Sequence, residues 1–310
     1  MHSDPKSTTT KAQVPIHGGF DEREMQKVLE RACARVGLDS SDARLMRGHT
    51  NAVILLPKAF VVVKIARRGT PIGNVKRTVR FTRWLMDLGF PTAPLHPIDQ
   101  PLIIDGHAAT FWTYIPQPNH PVPAERLAKP LFSLHHLPKP EFDLPQHDNI
   151  RAIRRSINFT TSLSPATRRF LSEETDHLEA SLKDVDFIFS EAVVQGDPQH
   201  RNALHAREGE ALLCDWDTAA IGQPEWDLVT IEVHCRRFGY SKSHYLAFAE
   251  SYGFDITQWA GFHTLRRIRE LRMITTNARK AMHSPGSVTE VERRVKGLYD
   301  GDTQLRWRIL

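Results

Sequence analysis

One stretch, Val193 to Leu228, constrains the fold of this chain more than any other. Apolar runs lead first into a polar loop that carries Asp197 and Asn202, and then into Asp215. This alternation predicts a strand, a polar loop, a hairpin and a further strand, with the carboxylates at strand ends. A carboxylate, a carboxamide and a second carboxylate in this order suit phosphoryl transfer. One Asp can orient and deprotonate a hydroxyl, while Asn and the other Asp offer hard oxygen ligands to Mg²⁺.

The size and composition of the chain indicate a globular protein with one or two large cores. A chain of 310 residues is long enough for two domains or one two-lobed unit. Its three cysteines lack metal spacing and fit a reducing cytoplasm better than a disulfide framework. No apolar run reaches the roughly 18 residues of a transmembrane helix. Residues 1–20 are polar and form no secretion signal, so we expect a disordered tail on a cytoplasmic protein without a membrane partner.

Charge is distributed unevenly around the net value of +5. Between Ala43 and Met86 basic residues are frequent and acidic ones are absent, whereas acids dominate between Glu173 and Glu232. This distribution suits a part that holds phosphates followed by a part that handles metal and a cationic substrate, although solvated surfaces explain it equally well. No nucleic-acid-binding motif accompanies the charge, so we expect no nucleic acid partner.

Hydrophobic periodicity predicts most of the secondary structure. Helices are predicted over residues 21–36, 74–88, 124–137, 149–159, 165–182, 226–237, 243–252, 262–282 and 288–298. Two hairpins are predicted before residue 116, and prolines after Tyr114-Ile115 mark a hinge. The expected architecture is α+β, with an N-terminal antiparallel sheet lobe and its helix over residues 21–115. A larger, mainly helical lobe follows over residues 116–310.

Two features of the N-terminal lobe are candidates for holding phosphates. Lys64 lies inside an otherwise apolar strand, where an ammonium group is rarely buried without a partner. Alone it fits an outward-facing residue of an edge strand, but the acids downstream favour a phosphate-binding lysine. The loop of residues 47–51, which ends at Asn51, could cover phosphates. Because it has a single glycine, a plain connecting loop is an equally good interpretation.

Together these residues resemble a known family. The motifs, in chain order, are Lys64, Gly196-Asp197-x4-Asn202, Asp215-Trp216-Asp217 and Gly222-x-Pro224-x2-Asp227-Leu228. Over about residues 44 to 235 the chain is similar to the aminoglycoside phosphotransferase family, which shares a bilobal protein-kinase-like fold with choline kinases. The resemblance implies transfer of a phosphate from ATP or GTP to a small hydroxylated molecule, for which an aminoglycoside or another cationic antibiotic is a candidate.

The resemblance also implies a role for each matching residue of the larger lobe. Asp197 would be the catalytic base. Asn202 and Asp215 would bind Mg²⁺, and Asp227 would brace the catalytic loop.

In the smaller lobe, the resemblance implies the nucleotide site. Lys64 would hold the phosphates, and Asn51 is a further candidate contact at the end of the loop before the hairpin. The backbone of Thr113, Tyr114 and Ile115 would meet the adenine.

Two departures from the family pattern matter. Gln195 stands where the family usually has His before Gly-Asp, and Gln can still form hydrogen bonds. On the helix of residues 74–88 the family commonly has a glutamate that pairs with the strand lysine, but here Thr78 stands at about that place. Lys64 must therefore find phosphate, Asp215 or a neutral oxygen such as that of Thr78 or Asn74.

The missing acid leaves an alternative function open, a catalytically weak or inactive pseudo-kinase that binds nucleotide. A protein kinase is less well supported, because the chain lacks a multi-glycine loop and an Ala-Pro-Glu motif after Asp215.

Histidines and arginines of the larger lobe have plain structural interpretations. His135-His136 are expected to lie on a helix surface and in its packing. His200 and His205 do not have the spacing of a helical metal pair, so no zinc site is predicted. The row Arg266, Arg267, Arg269 and Arg272 could face a substrate cleft, but a solvated helix face is the commoner case.

Overall fold

The computed structural model describes residues 21–48, 51–281 and 285–310. The predicted tail of residues 1–20 lies outside the described residues, as do His49 and Thr50 of the predicted phosphate loop.

The N-terminal part is an antiparallel sheet of five strands in the order β1-β2-β3-β5-β4, described for residues 44–48 and 51–113. The strands are β1 (Arg44–Gly48), β2 (Asn51–Leu56), β3 (Val61–Ala66), β4 (Leu102–Ile104) and β5 (His107–Thr113). Two helices accompany them, α1 (Glu22–Arg35) and α2 (Ile72–Asp87). The predicted hairpin with Asp-Gly at its turn is confirmed, since Asp105 and Gly106 both have positive φ and join β4 to β5.

Successive side chains of β2 and β3 alternate between the two faces of the sheet. Ile54 on β2, and Val63 and Ile65 on β3, are buried in one core with α1. Because successive side chains of a strand point to opposite faces, Lys64 projects from the other face. That face looks toward α2 and the larger part of the molecule.

The larger part is built mainly from helices with two small β-ribbons. Its helices are α3 (Ala124–His135), α4 (Asn149–Phe159), α5 (Pro165–Leu182), α6 (Glu225–Arg237), α7 (Lys242–Tyr252), α8 (Phe262–Lys280) and α9 (Val288–Tyr299). Its ribbons pair β6 (Ala192–Val194) with β9 (Ala220–Gly222) and β7 (Ala203–His205) with β8 (Ala211–Leu213). None of the described helices is long and apolar enough to cross a membrane.

Local sequence signals set the beginnings of several helices. Asp21 accepts a hydrogen bond from the N–H of Glu24 and caps α1, and Asp148 does the same for α4. Ser164 caps α5, and Pro165 follows at its first position, where a missing N–H costs nothing. These short-range signals explain why the helix positions follow closely from the sequence.

Three helices, α2, α6 and α8, pack around the site. All of α6 except Arg236 is buried, and α8 packs against α4, α5, α6 and α9. The buried face of α2 reaches the core of the larger part, where the rings of Phe81 and Trp216 meet edge to face at 5.3 Å. The segment that follows Asp215 is thereby packed directly against α2.

Candidate active site

The loop after β6 is a tight backbone turn that presents Asp197. Gly196 has φ of +80°, a region that other L-residues rarely adopt. A Cβ atom at this position would also lie 2.6 Å from the carbonyl oxygen of Thr218, which is too close for any side chain. The glycine of the motif is therefore required by both backbone conformation and space.

Asp227 on the buried helix α6 braces this loop from below. It is fully buried, and its carboxylate accepts from the N–H groups of Gln195 at 2.7 Å and Gly196 at 2.8 Å. The ring of His135 on α3 supports the same carboxylate, with Nε2 3.0 Å from Asp227 and Nδ1 2.8 Å from the hydroxyl of Tyr252. A helix-surface and packing role was expected for His135-His136: His136 is exposed, and His135 is buried, where it also orients Asp227.

Gln195 joins the two halves of the site. Its Oε1 accepts from the N–H of Asp197 at 2.6 Å, and its Nε2 donates to the carbonyl of Cys214 at 3.1 Å. The same amide group lies 3.3 Å from the carbonyl of Asp215. Gln therefore supplies donors and an acceptor from a single side chain at the position where the family usually has His.

Asp197 and Asn202 form one hydrogen-bonded unit. The Nδ2 of Asn202 donates to the backbone carbonyl of Asp197 at 3.0 Å and to its Oδ2 at 3.3 Å. The same Oδ2 accepts from Gln199 at 2.9 Å, and Oδ1 accepts from Arg269 of α8. Since 28% of the Asp197 side chain is exposed, the held carboxylate can still be reached from solvent.

Lys64 crosses from the sheet to the segment after β8 and contacts two carboxylates. Its Nζ lies 2.9 Å from Asp215 and 2.9 Å from Asp217. Asp215 has a left-handed backbone (φ 61°, ψ 63°), and a short 3-10 turn over Trp216–Thr218 follows. This turn brings both acids of the Asp-Trp-Asp motif to the same ammonium group, while Thr78 of α2 donates to Asp217 at 3.2 Å.

The charges at this contact stabilise one another. Burial disfavours the charged form of Lys64, but Asp215 and Asp217 outweigh that effect and raise the pKa of the ammonium group. The positive charge of Lys64 lowers the pKa of Asp215, against the opposing effect of burial. Lys64 and Asp215 are consequently ionised together over the whole neutral range.

A cavity beside Lys64 occupies the space between the sheet and α2. Among its lining residues are Asn51, Thr78, Thr110 and Asp217. Thr113 is the last residue of β5, Tyr114 and Ile115 follow it, and none of the three lines this cavity. The N–H of Thr113 donates to Pro94 and that of Tyr114 to Phe60, so both of these amide donors are already engaged.

The arginine row of α8 does not share one environment. Arg267 pairs with Glu174 of α5, whereas Arg269 is only 6% exposed and donates to Asp197. A solvated helix face was the commoner expectation for this row, and for Arg269 it is wrong. The cleft-facing interpretation holds for Arg269 because helix positions two residues apart point in very different directions.

His200 and His205 do not converge. His200 stacks on Tyr240 and lies 3.0 Å from His244 through the two Nε2 atoms, whereas His205 contacts the carbonyl of His120 at 3.1 Å. The pair has no common position for a metal ion.

Oxygen atoms of Asn202 and Asp215 are the candidate ligands for a divalent cation. Because Nδ2 of Asn202 donates to Asp197, its Oδ1 points the other way, and it accepts no hydrogen bond from the described residues. Asp215 uses Oδ1 for Lys64, and Oδ2 has no hydrogen bond to the described residues. The N–H of Cys214 donates to the carbonyl of Asn202 at 2.9 Å, which holds the two candidate ligands next to each other. Carboxylate and amide oxygens of this kind are what Mg²⁺ prefers.

Three residues of the site were not predicted from the sequence. The sequence does indicate Asp217, because it is the second acid of the Asp-Trp-Asp motif. For Arg269 the sequence shows only that it belongs to a row of arginines. For His135 the sequence shows nothing, because no feature of the helix indicates which of two adjacent histidines turns inward.

Known proteins resemble this chain in sequence pattern and in fold. The chain matches the model of a phosphotransferase enzyme family over residues 44–262. No curated protein sequence matches it significantly. One similar solved structure is a choline/ethanolamine kinase family protein from Mesorhizobium loti, with a TM-score of 0.64 and 14% identity over 89% of this chain and 92% of that one. Another is an aminoglycoside phosphotransferase from Streptomyces rimosus, with a TM-score of 0.61 and 15% identity over 83% and 98%.

A third similar structure holds ligands. It is an amicoumacin kinase in complex with AMP-PNP, Ca²⁺ and Ami, with a TM-score of 0.64 and 13% identity over 93% of this chain and 98% of that one. Such identities show the fold alone, and the predicted bilobal kinase-like α+β fold is confirmed.

Proposed function

Because the chain belongs to the phosphotransferase enzyme family, we propose that it moves the γ-phosphate of ATP or GTP to a hydroxyl of a small molecule. The observation that carries the proposal is the contact of Lys64 with Asp215, next to the unit formed by Asp197 and Asn202. These residues come from separate elements, and a plain structural role does not explain why their ammonium, carboxylate and amide groups lie together.

In the proposed reaction Asp197 is the general base. The acceptor oxygen attacks the γ-phosphorus, a new P–O bond forms, and the bond to the β-phosphate oxygen breaks with ADP or GDP as the leaving group. The proton of the acceptor hydroxyl passes to the carboxylate of Asp197. Arg269, Gln199 and Asn202 hold that carboxylate in one orientation, which matters because phosphoryl transfer depends mainly on positioning and charge.

Lys64 keeps the capacity to contact a phosphate. An ammonium group has three donors, and two of them are used by Asp215 and Asp217. The third can meet a nucleotide phosphate in the adjoining cavity, where Asn51 is a second proposed contact. For the adenine we propose the backbone of residues 113–115, with Ile115 offering its N–H because those of Thr113 and Tyr114 are engaged.

Mg²⁺ is the proposed metal, with Asn202 and Asp215 as its ligands. When bound, the ion would neutralise phosphate charge and orient the transferred group. We also keep the cytoplasm as the proposed location and residue 115 as the proposed end of the smaller lobe.

The alternative of an inactive pseudo-kinase rested on the missing acid of α2. Asp217 supplies an acid to Lys64 from another element, so that observation no longer favours the alternative. Aminoglycosides and other cationic antibiotics remain a prediction as acceptors.

The test is an Asp197→Asn variant assayed for ADP and phosphorylated product. The acceptor panel would include aminoglycosides, cyclic-peptide antibiotics, macrolides, amino alcohols, sugars and hydroxy acids. We expect turnover to fall about 10²–10⁴-fold, the usual contribution of a general base, while AMP-PNP affinity stays unchanged. Asp184→Asn is the matched control, because Asp184 is exposed and its side chain forms no hydrogen bond or ion pair with the described residues.

Equal turnover of Asp197→Asn and the native protein would refute Asp197 as base. AMP-PNP binding without transfer to any member of the panel would support the pseudo-kinase instead.

A further inference from the structure

One side of α8, the side that faces Asp197, carries a row of positively charged residues. Helical geometry places Arg269, Arg272, Arg279 and Lys280 within an arc of about 100°. Arg267 lies outside this arc and pairs with Glu174 instead. We call the four residues the cationic stripe of α8. Its direction is defined by Arg269, whose Nη2 donates to Asp197.

Among the described residues, most of the stripe has no ion-pair partner. Arg269 is held by Asp197, but its Nε is buried without a hydrogen-bond partner among the described residues. The guanidinium of Arg272, a half-buried residue, has no hydrogen bond or ion pair within the part of the chain that the structure describes. The buried Nε of Arg279 is likewise without a partner among those residues. Burying guanidinium groups without partners is costly, so such groups indicate a missing anion.

The positive charges of the cationic stripe also repel one another. Burial, together with the charge of Arg269 next to it, lowers the pKa of Arg272 to about 10, although Asp197 and Asp148 act in the opposite direction. Burial lowers the pKa of Arg279 too, and Arg155 of α4 adds a further like charge. Lys280 at the end of the stripe is close enough to interact electrostatically with both Asp197 and Asp215. The cationic stripe therefore reaches from the proposed base toward the proposed metal ligands.

A cationic acceptor would meet like charge here. The acids between Glu173 and Glu232, which suggested such an acceptor, are largely committed elsewhere. Asp227 braces the loop, and Glu225 accepts from the N–H groups of Ile188 and Phe189. Glu232 pairs with Arg236.

We propose that the acceptor is an anion, a small hydroxylated molecule whose carboxylate or phosphate group binds Arg272 of the cationic stripe, with Arg279 and Lys280 alongside. This inference rests on the proposed phosphotransferase function and names its substrate class. Arginine suits the role because its planar fork matches the two oxygens of a carboxylate or phosphate. Arg269 is a positioning residue that holds Asp197 while the anion is bound one helical turn away.

The first experiment measures binding, with the nucleotide site filled by AMP-PNP and Mg²⁺. The probes are D-glycerate for the carboxylate, glycerol 3-phosphate for the phosphate, glycerol as the neutral analogue and kanamycin as the cation. Saturation-transfer NMR should detect at least one of the two anions and neither of the other probes. Arg272→Gln should weaken binding of that anion about tenfold or more, as expected for a lost charge-assisted contact. Arg267→Gln, on the same helix but outside the stripe, should leave it unchanged.

The second experiment measures transfer to the same probes and to the acceptor panel. Arg272→Gln should raise KM for anionic acceptors with a much smaller change in kcat, whereas a merely structural role would lower Tm and AMP-PNP affinity together. Glycerate alone would identify a carboxylate acceptor, and glycerol 3-phosphate alone a phosphorylated one.

The inference would be overturned if neither anion bound, if Arg272→Gln and Arg267→Gln bound them equally, or if glycerol or kanamycin were the preferred acceptor. The last result would leave the proposed phosphotransferase function intact. Failure of AMP-PNP and Mg²⁺ to bind the native protein would instead reject the function itself.

Discussion

At the scale of single residues, Lys64 shows how a missing partner is replaced from another element. The helix α2 has Thr78 where the resemblance implies a glutamate, yet Lys64 is paired with two carboxylates. Asp217 reaches it because the left-handed backbone of Asp215 turns the chain sharply. Thr78 takes part indirectly, since its hydroxyl donates to Asp217.

Asp217→Asn should weaken this arrangement without abolishing it. The variant removes one negative charge from Lys64 and leaves the contact with Asp215. Because 48% of the Asp217 side chain is exposed, solvent screens part of the loss. We expect kcat/KM for ATP to fall about tenfold, which corresponds to about 1.4 kcal/mol. Steady-state kinetics at varied ATP would show it.

A second substitution tests whether Asp217 is the charge partner of Lys64 or only an acid at the surface. Thr78→Glu alone should lower activity, because its carboxylate would crowd that of Asp217. Combined with Asp217→Asn it should restore part of the lost kcat/KM, since α2 would then carry the acid. If the double variant were no better than Asp217→Asn, Asp217 would not be the substitute for the helix glutamate.

At the scale of secondary-structure elements, α6 and α8 are joined by a buried ionic network that also holds the C-terminal segment. Glu270 of α8 lies 2.8 Å from Arg236 and 2.7 Å from Arg237, both on α6. The Nη1 of Arg237 also donates to the carbonyls of Asp302 and Leu305, at 2.9 and 3.0 Å. This network fixes the two helices that present Asp227 and Arg269 to the loop that carries Asp197.

Glu270→Gln should therefore destabilise the whole larger part. Removing one partner leaves the guanidinium of Arg237 buried without its counter-ion, for which a loss of about 3 kcal/mol is expected. Urea unfolding followed by circular dichroism would measure it. Glu174→Gln breaks the more exposed pair with Arg267 and should cost less than about 1 kcal/mol. Equal losses in the two variants would contradict the network's role.

At the scale of the whole molecule, the buried His234 and the half-buried His147 should make stability depend on pH. Burial is the main reason that the pKa of His147 is lowered to about 4, and it also lowers that of His234, with Arg269 adding to the effect. In the unfolded chain both rings titrate near pH 6.5, as free histidine side chains do. Unfolding therefore takes up protons below pH 6.5, and the free energy of unfolding falls as the pH drops from 6.5 toward 4.

The change in the free energy of unfolding with pH shows which groups cause the pH dependence. Each such histidine contributes up to about 1.4 kcal/mol per pH unit in that window. The carboxylates of Asp215 and Glu270, whose pKa values are lowered by their cationic partners against burial, lose their contribution only as the pH falls below about 4. Urea unfolding at pH 7 and pH 5 should show a smaller difference for His147→Gln than for the native protein. His177→Gln, exposed on α5, should keep the full difference, and an identical slope in all three proteins would refute the assignment.

Much of the architecture could be predicted because its signals are local. The predicted helices agree with the observed ones to within about two residues at most ends, since caps, prolines and apolar spacing act over a few positions. Asp197, Asn202 and Asp215 were found for the same reason: their motif is compact, and short strands deliver them in order. The roles assigned to them stay predictions.

By itself, the sequence determined the elements, the order of the chemical groups along the chain and the kind of reaction they suit. Only the tertiary structure decided their partners: that Asp217 meets Lys64, that His135 rather than His136 supports Asp227, and that Arg269 turns to Asp197 while Arg267 turns to Glu174. The physical reason is that these contacts join elements far apart in the chain. Helix rotation and packing angles, which no local pattern specifies, determine which side chain of a polar row faces the cleft and which faces solvent.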